Sequence, residues 1–374
     1  MSLEIKKVES RKDLKRFIEF PLSLYRGNPY WCPPLLMDEY NTLRRDKNAA
    51  FEYCEAEYWL AYREGELVGR VAGIINPKAN QYWNEPLVRF GWIDFIDDAE
   101  VSGALIRTVE EWGRSKGLKG IHGPLGFADM DREGMLVEGF EELSGMAVIY
   151  NYPYYPEHMV RMGFQKAADW LQYEFIIPPD IPEKVDRMAR LVLEKYQLRV
   201  LQVKKAKELK PWARKMFVTL NEAYQVLYGY ASISEQQMDA YTEQYFGFIR
   251  PEFVSIIIDE QDKVVAFGVS MPSLTRALQK CRGKLFPFGF LRLLRAIRRN
   301  DIIDMYLVGV RPDYQGKGVL ALIYHDLHKA YLEHGVRKAV TSPQLEENLK
   351  AVTIWKNYVG RQHIRRRCWV KHWE

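Results

Sequence analysis

Met305-Tyr306-Leu307-Val308-Gly309-Val310 leads into Arg311-Pro312-Asp313-Tyr314-Gln315-Gly316-Lys317-Gly318-Val319, and the reading of the fold rests on this stretch. The first six residues read as a strand that Pro312 ends, because proline fixes φ and has no N–H to give to a ladder. Gly316 and Gly318 then permit a tight turn and close approach by a ligand. From Gly318 onward Leu320, Ile323, Leu327 and Tyr331 recur at helical spacing, with a stop near Gly335. A glycine-rich turn between a strand and a helix start presents backbone N–H groups with nothing in front of them, and the helix dipole adds partial positive charge. Such a turn suits a pyrophosphate, and Lys317 can add a full charge.

Working outward, the strand follows a hairpin in which Val254 to Ile258 turns at Asp259-Glu260-Gln261-Asp262 and returns as Val264 to Val269. The same order occurs about 200 residues earlier, far longer than any solenoid period. There Tyr58 to Ile75 turns at Glu64-Gly65, a strand lies near Phe90 to Phe95, and a helix runs from about Asp98 to Lys116 with Val101, Leu105, Val109 and Trp112 on one face. Each half continues with a short strand, Gly120-Ile121-His122 or Lys338-Ala339-Val340, then a helical stretch and a terminal strand. The pattern predicts a duplicated α/β (α+β) domain, each copy a mixed, largely antiparallel twisted sheet flanked by helices. Pro178-Pro179-Asp180-Ile181-Pro182 reads as the linker, giving domains 1–178 and 179–374.

Composition narrows the function classes. The 374 residues are 47% hydrophobic and 28% charged, which predicts globular domains throughout. Four widely spaced cysteines, Cys32, Cys54, Cys281 and Cys368, suggest neither a disulfide framework nor a zinc site, so a reducing cytoplasm is expected. No apolar run is long enough to span a bilayer. The net charge of +5 is concentrated in Arg276 to Arg299 and Arg361 to Lys371, without a nucleic-acid-binding signature.

The string from Val310 to Gly318 resembles motif A of the GNAT acyltransferase superfamily, Val-x-Pro followed by Gln/Arg-x-x-Gly-x-Gly/Ala. Val310 and Pro312 match the strand exit, Gln315 the Gln/Arg position and Gly318 the following glycine, while Leu320 replaces the last small residue. Glu346-Glu347-Asn348-Leu349-Lys350-Ala351 to Tyr358 resembles motif B, with Asn348 and Ala351 at its Asn-x-x-Ala start. The likeness covers about Phe253 to Lys371. Over Leu3 to Phe175 only the order of elements and a motif-B-like end, Asn151 to Phe164, remain, and Ile96-Asp97-Asp98-Ala99-Glu100 would repel a pyrophosphate. The chain as a whole looks like tandem GNAT proteins of bacteria, some of which resemble bacterial ceramide synthases.

The resemblance implies one site for acetyl-CoA or another acyl-CoA, in the C-terminal domain and without a metal. Its contacts would be Val308, Val310, Gln315, Gly316, Lys317, Gly318, Val319 and Asn348. It implies N-acyl transfer to a primary amine, with backbone groups of Leu307, Val308 and Val310 around the thioester. Asp304, Glu346 and Glu347 are candidate bases. Trp355 stands where family members carry a proton-donating tyrosine, so that role passes to Tyr358 or is absent. The acceptor is a small-molecule or lipid amine. Alternatives that stay open are a long-chain acyltransferase on a lipid or sphingoid amine at the membrane surface, a Fem-type aminoacyltransferase, and a non-catalytic CoA-binding or scaffolding protein.

Two further segments carry expectations. Asp129, Asp131 and Glu133, flanked by Gly126 and Gly134, read as a surface loop, with a cationic amine or a divalent metal as the lesser readings; the calcium-loop register is missing. An insert at 273–300 is aromatic and basic, with Phe290, Leu294 and Ile297 on one helical face and Arg292, Arg295 and Arg299 on another. It reads as a helix packed on its own domain or, alternatively, as a peripheral contact with the inner membrane surface through 284–299.

Overall fold

The computed structural model describes residues 2–246, 249–348 and 359–373. In chain order the first half holds β1 (Leu3–Lys7), α1 (Arg11–Leu24), α2 (Leu36–Leu43), β2 (Glu55–Arg63), β3 (Glu66–Ile75), α3 (Pro77–Trp83), β4 (Leu87–Phe95), α4 (Ala99–Ser115), β5 (Gly120–Gly123), β6 (Met135–Glu138), α5 (Tyr154–Arg161) and β7 (Gln165–Ile176). Next come α6 (Glu183–Tyr196), β8 (Arg199–Val200), α7 (Ala206–Tyr224), α8 (Glu235–Tyr245), β9 (Val254–Ile258) and β10 (Val264–Pro272). The chain continues with α9 (Thr275–Cys281), α10 (Gly289–Arg298), β11 (Ile302–Val310), α11 (Leu320–Glu333), β12 (Lys338–Val340), β13 (Gln344–Leu345) and β14 (Gly360–His372). Two compact units result: Met1–Leu171 with Leu274–Leu293 and His363–Glu374, and Gln172–Ser273 with Leu294–Gln362. Much of the insert therefore belongs to the first unit. There Gln279 Nε2 donates to the carbonyls of Pro29 and Trp31, and the Leu36 amide donates to the Gly283 carbonyl.

The first unit has strand order β1-β2-β3-β4-β5-β14, antiparallel except for the parallel pair β4–β5. The alternation from Tyr58 to Ile75 does form a hairpin, turning through Glu64 and Gly65 at φ +51° and +84°. The helix expected near Asp98 is α4; the Asp98 carboxylate accepts from the amides of Glu100 and Val101, and Val101, Leu105 and Val109 are fully buried against Val71, Val88, Phe90 and Phe95. On the other sheet face Phe17 and Ile18 of α1 pack with Tyr58, Leu60 and Ala72. Arg70 and Asp94, both buried, form an ion pair at 2.7 Å between β3 and β4. The Tyr25 hydroxyl donates to Asp94 at 2.7 Å and Arg70 Nη1 donates to the Phe17 carbonyl, so α1 is fixed to the sheet by a satisfied polar network.

The second unit has strand order β7-β12-β11-β10-β9-β8, with β11–β12 its parallel pair. Its hairpin turns at Asp262, φ +57°. The helices α6 and α11 bury Ala189, Val192, Leu322, Ile323 and Leu327 against Ile257, Val265, Ile303 and Met305. The expected helical stripe of α11 is thus the core-facing one, and Leu320 packs against the same core.

Removing one member of a buried pair leaves an unpaired charge, so Asp94→Ala should lower the unfolding free energy by about 3–5 kcal/mol. Urea unfolding would measure this, and Arg70→Met added to Asp94→Ala should recover much of the loss.

Candidate functional site

The strand that opens the sequence reading is parted from its neighbour. β11 pairs with β12 only at Ile302↔Lys338, Ile303↔Ala339 and Asp304↔Val340, and then continues to Val310 with β10 as its ladder partner among the described residues. Against β10 the register shifts, Val269 facing Leu307 and Ser270 facing Met305, so Tyr306 is the extra residue of a bulge. The bulge changes which side chains face the core: Ile303 and Met305 before it, Val308 and Val310 after it.

The strand exits into a 3-10 turn, Pro312–Tyr314, held by Gln315 Nε2 donating to the Val310 carbonyl at 3.1 Å. Gly316 and Gly318 then adopt φ +76° and +80°. A Cβ on Gly316 would meet nothing within 4 Å, whereas on Gly318 it would press Met188 and Val192 of α6. Among the described residues no acceptor is found for the amides of Gly316, Gly318 and Val319, which sit at the start of α11. These are the donors that a phosphate group needs. Lys317 holds its Nζ over the rings of Tyr196 and Tyr314, at 5.2 and 5.1 Å, close to the turn.

The remaining candidates are distributed as follows. Asp304 is the last parallel-paired residue of β11; burial pushes its carboxyl from the ordinary 3.8 up to about 7, against a hydrogen bond from Ser273. Val308 is half-buried and its carbonyl takes the Tyr224 hydroxyl of α7 at 3.0 Å. Glu346 is half-buried and Glu347 exposed in the segment after β13, where the Asn348 amide donates to the Leu345 carbonyl. Ala351, Trp355 and Tyr358 lie outside the described residues. Sequence reasoning missed Tyr224 and Ser273, which no local pattern distinguishes from packing residues.

The first unit repeats the design and fills it. β4 pairs with β5 at Leu87↔Gly120, Val88↔Ile121 and Arg89↔His122, then bulges near Trp92, which has φ +42°. Beyond Arg89 the Leu125 amide donates to the Phe90 carbonyl, the Phe95 amide donates to the Tyr155 hydroxyl, and the Tyr154 hydroxyl donates to the Phe95 carbonyl at 2.6 Å. The helix start is occupied by the Asp98 carboxylate, itself paired with Arg63 at 2.8 Å. A cavity of about 50 Å³ lined by Tyr25, Trp31, Trp92, Arg132 and Tyr155 remains, room for a few waters.

The acidic loop is turned inward, contrary to the expectation of a surface loop. Asp131 Oδ2 accepts from the amides of Phe127 and Ala128, and burial pushes its carboxyl up to about 6. Burial likewise raises Asp129 and Glu133. Gly126 is required here, since its Cβ would fall 2.2 Å from that of Asp131.

A sheet with this parted parallel pair followed by a helix, present twice and in the second unit with a glycine turn between them, has the tandem form of the GCN5-related N-acetyltransferase fold. A tandem GNAT protein from the clavulanic acid biosynthesis pathway superposes on the chain with a TM-score of 0.56 at 12% identity, covering 99% of this chain and 98% of that one. A GCN5-related glucosamine N-acetyltransferase region of a fungal multi-domain β-N-acetylglucosaminidase superposes with a TM-score of 0.53 at 11% identity, covering 99% and 38%. In sequence the chain is similar to Protein YghO of Escherichia coli (strain K12), 27% identical over 359 residues, 94% of this chain and 90% of the relative. It is also similar to the bacterial ceramide synthase of Caulobacter vibrioides (strain NA1000 / CB15N), 28% identical over 319 residues, 84% and 82%. No protein-family model matches the chain.

Because the folded-state pKa of Asp131 is raised, the fold prefers its protonated form; the contribution is full below about pH 4 and is lost as pH rises through about 6. Asp131→Asn should therefore gain stability relative to the unsubstituted protein between about pH 4 and 7, as read by urea midpoints across that range.

Proposed function

We propose that the chain is an acyl-CoA-dependent N-acyltransferase that binds its donor at the second unit and acylates a primary amine. The observation that carries this reading is the combination of the β11 edge beyond Asp304 with the amides of Gly316, Gly318 and Val319 at the start of α11. Those amides and the helix dipole would hold the pyrophosphate, and the strand edge from Leu307 to Val310 would lie along the pantetheine arm. Asn348 would stand beside that arm. Acyl-CoA supplies an acyl group activated as a thioester. Asp304, with its carboxyl raised to about 7, would take the proton that an incoming ammonium must shed before its nitrogen becomes a nucleophile. Glu346 and Glu347 are the alternative bases, and Tyr358 is the proposed acid for the departing thiolate. The first unit meets the same strand and helix ends with Tyr154, Tyr155 and Asp98, which supports a single donor site.

A second reading, a long-chain acyl donor with a lipid amine as acceptor, is favoured by the likeness to a bacterial ceramide synthase. A thiol-release assay pairing acyl-CoA chain lengths with amine classes separates the two.

Gly316→Glu places bulk and negative charge where the phosphates would sit and strains a positive-φ position. Calorimetry should show CoA binding to the unsubstituted protein and none to the variant; equal affinities would make the turn purely structural. For the base, kcat/KM should fall about tenfold per unit as pH drops below about 7, since only the carboxylate accepts a proton. Asp304→Asn should be slow and lack that limb.

A further inference from the structure

The loop and helix from Lys284 to Arg298 present apolar and basic side chains together, outward. Phe286 and Phe288 are 75% and 69% exposed, and Leu291 is 52% exposed. Phe290 and Leu294 of α10 are also exposed, and the Phe286 and Phe290 rings lie 6.2 Å apart. The helix is seated by other residues: Leu293 is buried, and the Phe290 amide donates to the Leu285 carbonyl. Gly289 is buried so closely that a Cβ there would fall 1.8 Å from the Lys284 carbonyl oxygen, which fixes the angle at which the loop meets the helix. The exposed aromatics are thus displayed by a well-anchored element. The residue turned inward is Leu293, while Phe290 and Leu294 of the apolar face grouped by periodicity are exposed.

The charges around these side chains have one sign. From Ser273 to Asn300 the sequence contains no Asp or Glu, and its cations include Lys280, Lys284, Arg292, Arg295, Arg298 and Arg299. Among the described residues none of these six forms an ion pair with a carboxylate. Contiguous exposed phenylalanine and leucine beside uncompensated cations cost solvation and solubility in a free monomer, and they match a surface that is apolar within and anionic at its rim. A bilayer is built that way. Arginine and lysine can lay their stems along the acyl boundary while their heads reach phosphate.

We infer that the segment from Lys284 to Arg298 is a peripheral docking surface for a bilayer face carrying anionic phospholipid headgroups, with Phe286, Phe288 and Leu291 inserted below the headgroups. No helix among the described residues is long and apolar enough to cross a membrane, so the contact is interfacial. The inference stands on this surface alone and is independent of the acyl-transfer reading.

The test is co-sedimentation of the full chain with vesicles, in the absence of acyl-CoA. Vesicles of phosphatidylcholine doped with phosphatidylglycerol should pellet the protein at least about tenfold better than pure phosphatidylcholine, and less well as salt rises. Phe286→Ser with Phe288→Ser should lower the partition by about tenfold or more at an unchanged melting temperature. Arg295→Glu with Arg298→Glu should lower it on anionic vesicles alone. Failure of the unsubstituted protein to pellet, equal pelleting on the two vesicle types, or equal pelleting of the phenylalanine variant overturns the inference. A change from dimer to monomer in that variant without vesicles, seen by light scattering, also overturns it and assigns the surface to a second copy of the chain.

Discussion

A parallel pair of strands that separates after three residues is the constraint on which the rest depends. Backbone amides and carbonyls that lose a neighbouring strand still need partners. In the second unit β11 leaves β12 at Asp304, bulges at Tyr306 and runs on to the turn at Gly316. The bulge exchanges the residues that face the core, which lets Val308 and Val310 anchor the end of a strand whose edge has opened.

The first unit solves the identical problem with its own side chains. The hydroxyls of Tyr154 and Tyr155 bond both backbone groups of Phe95, and Asp98 supplies a carboxylate to the helix start. Hydroxyl and carboxylate thus take the places that an extended polar chain and an anion could otherwise fill. At corresponding strand positions, the third residue of β4 and of β11, the two units carry Arg89 and Asp304, both pressed into low-dielectric surroundings. Arg89 gives a hydrogen bond to the Gly126 carbonyl, while Asp304 responds with a raised pKa. Among the described residues the first unit meets both ends with its own side chains, and in the second no acceptor is found for the amides of Gly316, Gly318 and Val319.

Much of the framework was legible in the sequence because its signals are local. Alternation around Glu64-Gly65, the apolar stripe of Val101, Leu105 and Val109, and the glycines after Pro312 each specify an element within a dozen or so residues. What escaped depends on distant partners. Tyr224 reaches the Val308 carbonyl across 84 positions, and nothing around Tyr224 marks it out from the other tyrosines. The charges of the Asp129 to Glu133 loop predict a surface loop, because charged residues usually lie there; its inward turn depends on Asp131 binding the Phe127 and Ala128 amides. In the insert, periodicity groups residues on faces but does not say which face meets protein, and Leu293 rather than Phe290 is the anchor. Of the candidate site, the strand, turn and helix were readable, but the raised carboxyl of Asp304 follows from burial that only the fold creates.

The C-terminal strand adds a constraint of a different kind. Trp369 to His372 of β14 pair with Gly120 to Gly123 of β5, and Cys368 and Trp369 are buried in the first unit. During synthesis the first unit's sheet therefore lacks one strand until nearly all of the second has left the ribosome, and the exposed edge of β5 must wait in an aggregation-prone state. Vectorial folding, with the earlier unit finished before the later one begins, is not open to this chain.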